Sequence, residues 1–178
     1  MTVKRLYRYH FLIMLDHLPD LLDPFEFADK KRRIRGAYRL LAMDRVRDLL
    51  LSPEGDAEVE LEFRREGRHA VVAGQITAEL TLQCQCCLER LSWPVRTEVR
   101  LGIVRSIDEA KRLPDDLEPL LVESEAAVKP MDIVQDELVL AIPIIPQHRS
   151  CALPWRGDAT ERPAHPFAAL AQLKKNLS

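Results

Sequence analysis

The sequence predicts a single α+β domain built on a mainly antiparallel β-sheet with a few flanking helices. Three observations carry that expectation. Apolar and polar residues alternate with a period of two through much of the stretch from Ala57 to Ile103, with short breaks between the runs, which is the pattern of hairpin-connected strands with one wet face. Segments near 40–50 and 131–142 return instead to apolar spacings of three and four, as amphipathic helices do. The length of 178 residues suits one domain that buries a core without disulfide staples.

Taken in order, residues 1–17 form an N-terminal extension and 18–178 the domain. The extension carries basic residues and then an apolar run, Phe11 to Leu15, too short for a secretory h-region, and no small-residue cleavage site follows before Asp16. Met14 is a candidate start. The front of the domain is expected to be helical or irregular: Pro19 and Pro24 interrupt it, and Lys30, Lys31, Arg32, Arg33 and Arg35 crowd together before Gly36. Leu40, Met43, Val46, Leu49 and Leu50 then recur at helical spacing until Ser52-Pro53-Glu54-Gly55 stops the helix.

From Ala57 the period becomes two, Val59, Leu61 and Phe63 facing one way and Glu60, Glu62 and Arg64 the other. A turn through 65–69 leads to Ile76, Ala78, Leu80 and Leu82, which alternate with Thr77, Glu79, Thr81 and Gln83. The clearest strand follows, with Leu91, Trp93, Val95, Val99, Leu101 and Ile103 on one face and Thr97 as the polar intrusion on it. An acidic solvated connection leads to a short edge strand at 119–123. The next helix has Asp132 as its expected cap, Gln135 three positions on, apolar Ile133, Leu138 and Ile142, and Pro143 as its stop. A last amphipathic helix is expected near the C-terminus, with Phe167, Leu170 and Leu173 on one side and Lys174 and Lys175 suiting its dipole.

Basic and acidic side chains nearly cancel, 26 against 28, for a net charge of −2. Any attraction to a polyanion must therefore come from local clusters. No run approaches the ~18 apolar residues that span a bilayer, so a cytoplasmic protein with no membrane partner is expected. G-x-x-x-x-G-K-S/T, G-x-G-x-x-G and G-x-S-x-G are absent from the sequence, and no serine or histidine stands out as part of a triad. A noncatalytic protein without a small-molecule substrate is the expectation.

Two features rise above this background. Cys84 and Cys87 form a C-x-x-C pair, and His148 and Cys151 an H-x-x-C pair; together they offer three sulfurs and one nitrogen, a set that suits tetrahedral zinc. The long separation of the pairs requires the fold to bring a strand end and a helix end together. The alternative is ordinary thiols packed in a core. Cys86 belongs to neither pair and is a neighbouring strand residue or an alternative ligand. A redox pair would need a low-pKa thiolate in a thioredoxin-like unit, which antiparallel strands do not supply.

The second feature is the basic stretch Lys30, Lys31, Arg32, Arg33, Arg35 and Arg39 with Tyr38 interleaved. Such a segment can follow a phosphate backbone and offer an aromatic face for stacking. It can equally be a solvated face balanced by Asp23, Glu26 and Asp29.

Several segments also resemble one family in order and spacing. "LTLQCQCCLERL" resembles a C-x-R-C motif, "MDIVQDELVLAIPIIPQH" with Cys151 resembles an acidic, Glu-Leu, Leu-Pro and Pro-x-His motif, and "HPFAALAQLKK" resembles an N-P-F-x-x-L-x-x-L-K ending. These are marks of the large ribosomal RNA subunit accumulation proteins, the YceD-like family, and the resemblance runs from about Leu18 to Lys175. Matching positions are Cys84, Cys87, Asp136, Glu137, Leu138, Pro143, Pro146, His148, Cys151, Pro166, Phe167, Leu170, Leu173 and Lys174. Cys86 stands where the family commonly has arginine, which removes one phosphate contact, and His165 stands where it has asparagine.

The resemblance implies a bacterial ribosome-biogenesis factor acting on large-subunit rRNA or a pre-ribosomal particle. On that expectation the basic segment meets RNA and the cysteine and histidine pairs brace the fold, with structural zinc as the one cofactor. The competing expectation is an adaptor for a ribosomal protein, working through an acidic face of Asp132, Asp136 and Glu137. A thiol redox protein is the remaining alternative.

Overall fold

Inward-facing apolar residues on successive strands fall into register when neighbouring strands run antiparallel, and that is how this sheet is built. The computed structural model describes residues 14–15, 18–122 and 127–151. Its sheet has six strands in chain order, β1 (Met14–Leu15), β2 (Arg33–Arg39), β3 (Asp56–Glu66), β4 (His69–Gln83), β5 (Arg90–Val104) and β6 (Glu118–Leu121). The pairings from β2 through β5 are antiparallel, while the short edges β1 and β6 pair parallel to β2 and β5. The expected α+β class with a mainly antiparallel sheet is what the chain forms.

Register aligns the core. Ile34 pairs with Leu61, Val59 with Ile76, Phe63 with Val72, Ala78 with Val95 and Leu82 with Leu91, and all of these except half-buried Ala78 are buried. Helices α1 (Pro24–Asp29), α2 (Asp44–Arg47) and, beyond α3 (Ile107–Ala110), α4 (Pro130–Ala141) contribute Ala28, Val46, Ile133, Val134 and Leu138 to the same core. At the end of β5 the alternation lapses, and Leu101, Gly102, Ile103 and Val104 are all buried. The segment after α3 covers the second face there, with Leu113 seated over Gly102.

Four local expectations need correction. The front is not wholly helical or irregular: Arg33–Arg39 is a strand, whose inward residues Ile34, Gly36 and Tyr38 are too few and too mixed to show a period beside the arginines. The segment 40–50 is not one helix but a 3₁₀ turn (Leu40–Ala42) followed by the single turn of α2. The acidic connection after β5 contains α3, capped by Ser106 Oγ accepting from the Glu109 N–H at 3.2 Å. Asp132 does not cap α4, because Pro130 begins the helix and Lys129 stands at the cap; proline is suited to that first position since its missing N–H has no helical partner. Asp132 instead lies within the first turn and accepts from Gln135 Nε2 at 3.4 Å. The expected C-terminal helix and its residues Phe167, Leu170 and Leu173 lie outside the described residues.

Two polar contacts fix α4, one to strand β5 and one to helix α2, and thereby aim the chain that follows it. Trp93 Nε1 donates to the carbonyl of Ala141 at 3.1 Å, and buried Gln135 accepts the Arg45 N–H through Oε1 at 3.0 Å.

Candidate functional site

Between β4 and β5 the chain reverses through Cys84–Glu89. Cys84 donates its N–H to the Glu89 carbonyl at 2.9 Å and its own carbonyl accepts the Leu88 N–H at 2.9 Å. Leu88 takes a φ of 63° to close the loop, a left-handed conformation that usually selects glycine. This reversal folds Cys87 back beside Cys84. The segment after α4 then passes alongside, held where the Gln85 N–H donates to the Pro146 carbonyl at 2.8 Å. A tight turn, Cys151 N–H to His148 carbonyl at 3.2 Å, sets the second pair on one side of its loop.

The result brings Cys84, Cys87, His148 and Cys151 together, with ligand atoms all within 4.8 Å of one another. Cys84 Sγ lies 3.8 Å from Cys151 Sγ, and Cys87 Sγ lies 3.4 Å from His148 Nδ1. A zinc tetrahedron with Zn–S about 2.3 Å and Zn–N about 2.0 Å has S···S edges of about 3.8 Å and S···N edges of about 3.5 Å. The donor set and spacing therefore fit the ion. A disulfide does not fit, since sulfurs in one lie about 2.05 Å apart and all four cysteines are free. His148 Nε2 is 3.2 Å from the Arg90 carbonyl; because a carbonyl only accepts, the proton sits on Nε2 and Nδ1 keeps its lone pair for a metal.

The thiols are electrostatically unequal. Burial pushes Cys84 up, but the N–H groups of Cys87, His148 and Cys86 converge on its sulfur and bring it down to about 6. The Cys86 thiol, then burial, then Cys87 and Cys84 push the Cys151 thiol well up. A lowered Cys84 thiol beside a raised Cys151 thiol is an arrangement a cation resolves, by permitting Cys151 to deprotonate onto it. Cys86 is not a member of the cluster; its Sγ points 3.6 Å from the Cys151 carbonyl.

The basic stretch is divided. Lys30 pairs with Glu26, Lys31 forms the turn at φ 49°, and Arg32 lies over the Phe27 ring at 5.5 Å. Within β2 the outward arginines face an acidic strand: Arg33 is registered with Glu62, Arg35 with Glu60 and Arg39 with Asp56. Arg33 bonds Glu62 at 3.3 Å and lies 3.6 Å from Glu60. Tyr38 points to the opposite, core-side face, half-buried, so it does not share a surface with Arg35 and Arg39.

The acidic residues of α4 are likewise separated. Asp136 pairs with Arg45. Glu137 is half-buried and its carboxyl is held above the usual range by burial, then Glu118, with Asp136 adding a little and a hydrogen bond from Thr97 opposing. That contact accounts for the polar intrusion of Thr97 on the apolar face of β5.

Sequence patterning did not expose a cleft of about 340 Å³ at the end of the sheet, walled by Arg65, Arg68, Arg105 and Arg112 from three separate segments, with His69 and Phe25. Only their meeting in space makes these arginines a group.

Among known proteins, the family model described as Large ribosomal RNA subunit accumulation protein YceD matches residues 72–174, a span that holds Cys84, Cys87, His148 and Cys151 and begins after the basic stretch. A relative in Haemophilus influenzae, named Large ribosomal RNA subunit accumulation protein YceD, is 28% identical over 168 residues, covering 89% of this chain and 97% of that protein. No solved structure matches the chain at a significant level.

Proposed function

Because the chain belongs to the large ribosomal RNA subunit accumulation protein YceD family, we propose that it is a noncatalytic ribosome-biogenesis factor that binds large-subunit rRNA or an assembling large-subunit particle in the bacterial cytoplasm. The family match carries this reading. It is supported by cationic side chains without carboxylate partners among the described residues, including Lys31, Arg35 and Arg39 from the basic segment. Arg32 offers a guanidinium plane over Phe27 on which a base could stack. No helix among the described residues is long and apolar enough to cross a membrane.

In this reading zinc held by Cys84, Cys87, His148 and Cys151 is structural. All four coordination positions come from the protein, so no open site remains for substrate or water. The ion would lock the β4–β5 turn to the segment leaving α4, reinforcing the backbone bond from Gln85 to Pro146 and the contact of His148 with the Arg90 carbonyl.

The test is UV crosslinking of the tagged protein in cells with sequencing of the recovered RNA. Large-subunit rRNA precursors are the expected enrichment. Recovery of a ribosomal protein with no crosslinked RNA would overturn the RNA contact and leave the adaptor reading. One observation favours that second reading: Leu49, Leu51 and Ile144, exposed by 50%, 47% and 99%, share a cleft beside the metal cluster, and exposed apolar surface of this kind suits a protein contact.

A further inference from the structure

The cleft between α1, the β3–β4 hairpin and the segment after β5 concentrates positive charge in a chain whose overall charge is −2. Arg65, Arg68, Arg105 and Arg112 line it against one carboxylate, Glu109. Arg65 is committed to Asp29 at 2.7 Å. Glu109 is engaged by backbone, its Oε2 accepting the Arg105 N–H at 2.8 Å. Among the described residues no ion pair involves Arg68, Arg105 or Arg112, and all three are exposed. The guanidinium of Arg105 lies over Phe25, 4.2 Å from the ring centroid. At about 340 Å³ the space is in the range of small-ligand pockets, about 300–1,000 Å³.

Resting on the RNA-binding reading above, we propose that this cleft seats the phosphodiester backbone of single-stranded RNA, with Arg68, Arg105 and Arg112 as its phosphate contacts and the Arg105–Phe25 stack as a platform for a base. Planar guanidinium forks match phosphate oxygens in pairs, and bases of unpaired RNA stack on arginine planes as well as on rings. Guanidinium groups without carboxylate partners among the described residues converge here from two separate parts of the chain, whereas the β2 arginines oppose an acidic strand. The Arg65–Asp29 pair ties the cleft's wall to the residue preceding Lys30 and Lys31. A path from Lys31 into the cleft would let one strand use both.

The experiment is fluorescence anisotropy with labelled oligouridine over a range of salt concentrations, using the full chain, an Arg68→Gln/Arg105→Gln/Arg112→Gln variant and an Arg35→Gln/Arg39→Gln variant. The first variant should bind at least about tenfold more weakly, and its slope of log affinity against log salt should flatten by about 2, since each phosphate neutralised on a single strand supplies about 0.7 of that slope. Single Arg68→Gln and Arg112→Gln variants, which remove no internal ion pair, should each show part of the weakening without a change in melting temperature. Full-strength binding by the triple variant would overturn the cleft while leaving the RNA-binding reading standing. Failure of the unmodified chain to bind any RNA would overturn both. Equal binding of a labelled poly-glutamate would overturn the choice of RNA as the occupant.

Discussion

The Nε2 of His148 lies 3.2 Å from the backbone carbonyl of Arg90, the first residue of β5. The strand itself therefore selects the tautomer that leaves Nδ1 facing Cys87. Such outer contacts raise the basicity of a ligating imidazole and fix its orientation. The purified protein should carry about one zinc per chain, and His148→Ala should lower zinc affinity at least about tenfold in competition with a chromophoric chelator. Chelation should lower the melting temperature of the unmodified chain and have much less effect on His148→Ala. A metal-free preparation that cannot be loaded, or unchanged melting after chelation, would remove the zinc.

Cys86 sits between two ligand candidates in sequence yet directs its sulfur at the Cys151 carbonyl, 3.6 Å away. Cys86→Ser should accordingly keep full zinc stoichiometry, whereas Cys84→Ser should lose it. Metal analysis of both variants side by side decides whether the pair is Cys84 and Cys87 or includes Cys86.

Gly74 lies opposite Leu61 in the β3–β4 ladder, and a Cβ there would run into the Glu60 carbonyl and come 2.9 Å from Leu61 Cα. Backbone on a central strand cannot retreat as a side chain can. Gly74→Ala should cost more than about 2 kcal/mol, the range in which overpacking strain acts, read as a fall in the denaturant midpoint. Gly36→Ala meets only the flexible side chain of Leu18 and should cost less. Equal stability of the two variants would contradict the β3–β4 packing.

The central strands were legible because their alternation ran long enough to show a period, from Val59 to Phe63 and from Leu91 to Ile103. β2 was not, since its outward positions are Arg33, Arg35, Ala37 and Arg39, and cations beside Gly36 signal a loop before they signal a strand. The cysteine–histidine cluster was legible in its residue types, but the meeting of Cys87 with His148 depends on Trp93 and Gln135 holding α4, and neither contact leaves a local pattern. The arginine cleft is entirely tertiary. Its members come from hairpin, strand end and loop, with no spacing in common.

Tyr38 carries a hydroxyl that is buried and without a hydrogen-bond partner among the described residues, and burial, then Asp20, then Asp132 push its pKa up to about 12. An unsatisfied buried hydroxyl is a cost, so Tyr38→Phe should leave stability unchanged or raise it at neutral pH. The sign at alkaline pH follows from linkage: in the unfolded chain the phenol ionises near about 10, in the folded chain at about 12, so the folded state holds more protons between those values. Stability should therefore fall as pH rises through that window. Melting curves of the unmodified chain and Tyr38→Phe should diverge there; parallel curves would show the phenol to be solvated.

Arg33 and Lys31 are close in sequence and opposite in expected effect. Arg33 is partly shielded, bonds Glu62 at 3.3 Å and stands 3.6 Å from Glu60, so its charge is already answered within the sheet, and removing it leaves two glutamates adjacent on one strand face. Arg33→Gln should cost up to about 1 kcal/mol of stability and change RNA affinity little. Lys31 stands in the turn before β2, exposed and outside every ion pair among the described residues; Lys31→Gln should leave the melting temperature alone and weaken RNA binding with a shallower salt dependence. Measuring melting and anisotropy on both variants separates a basic residue that holds the sheet from one that meets a partner. The reverse result would make Arg33, and not Lys31, the residue that meets the partner.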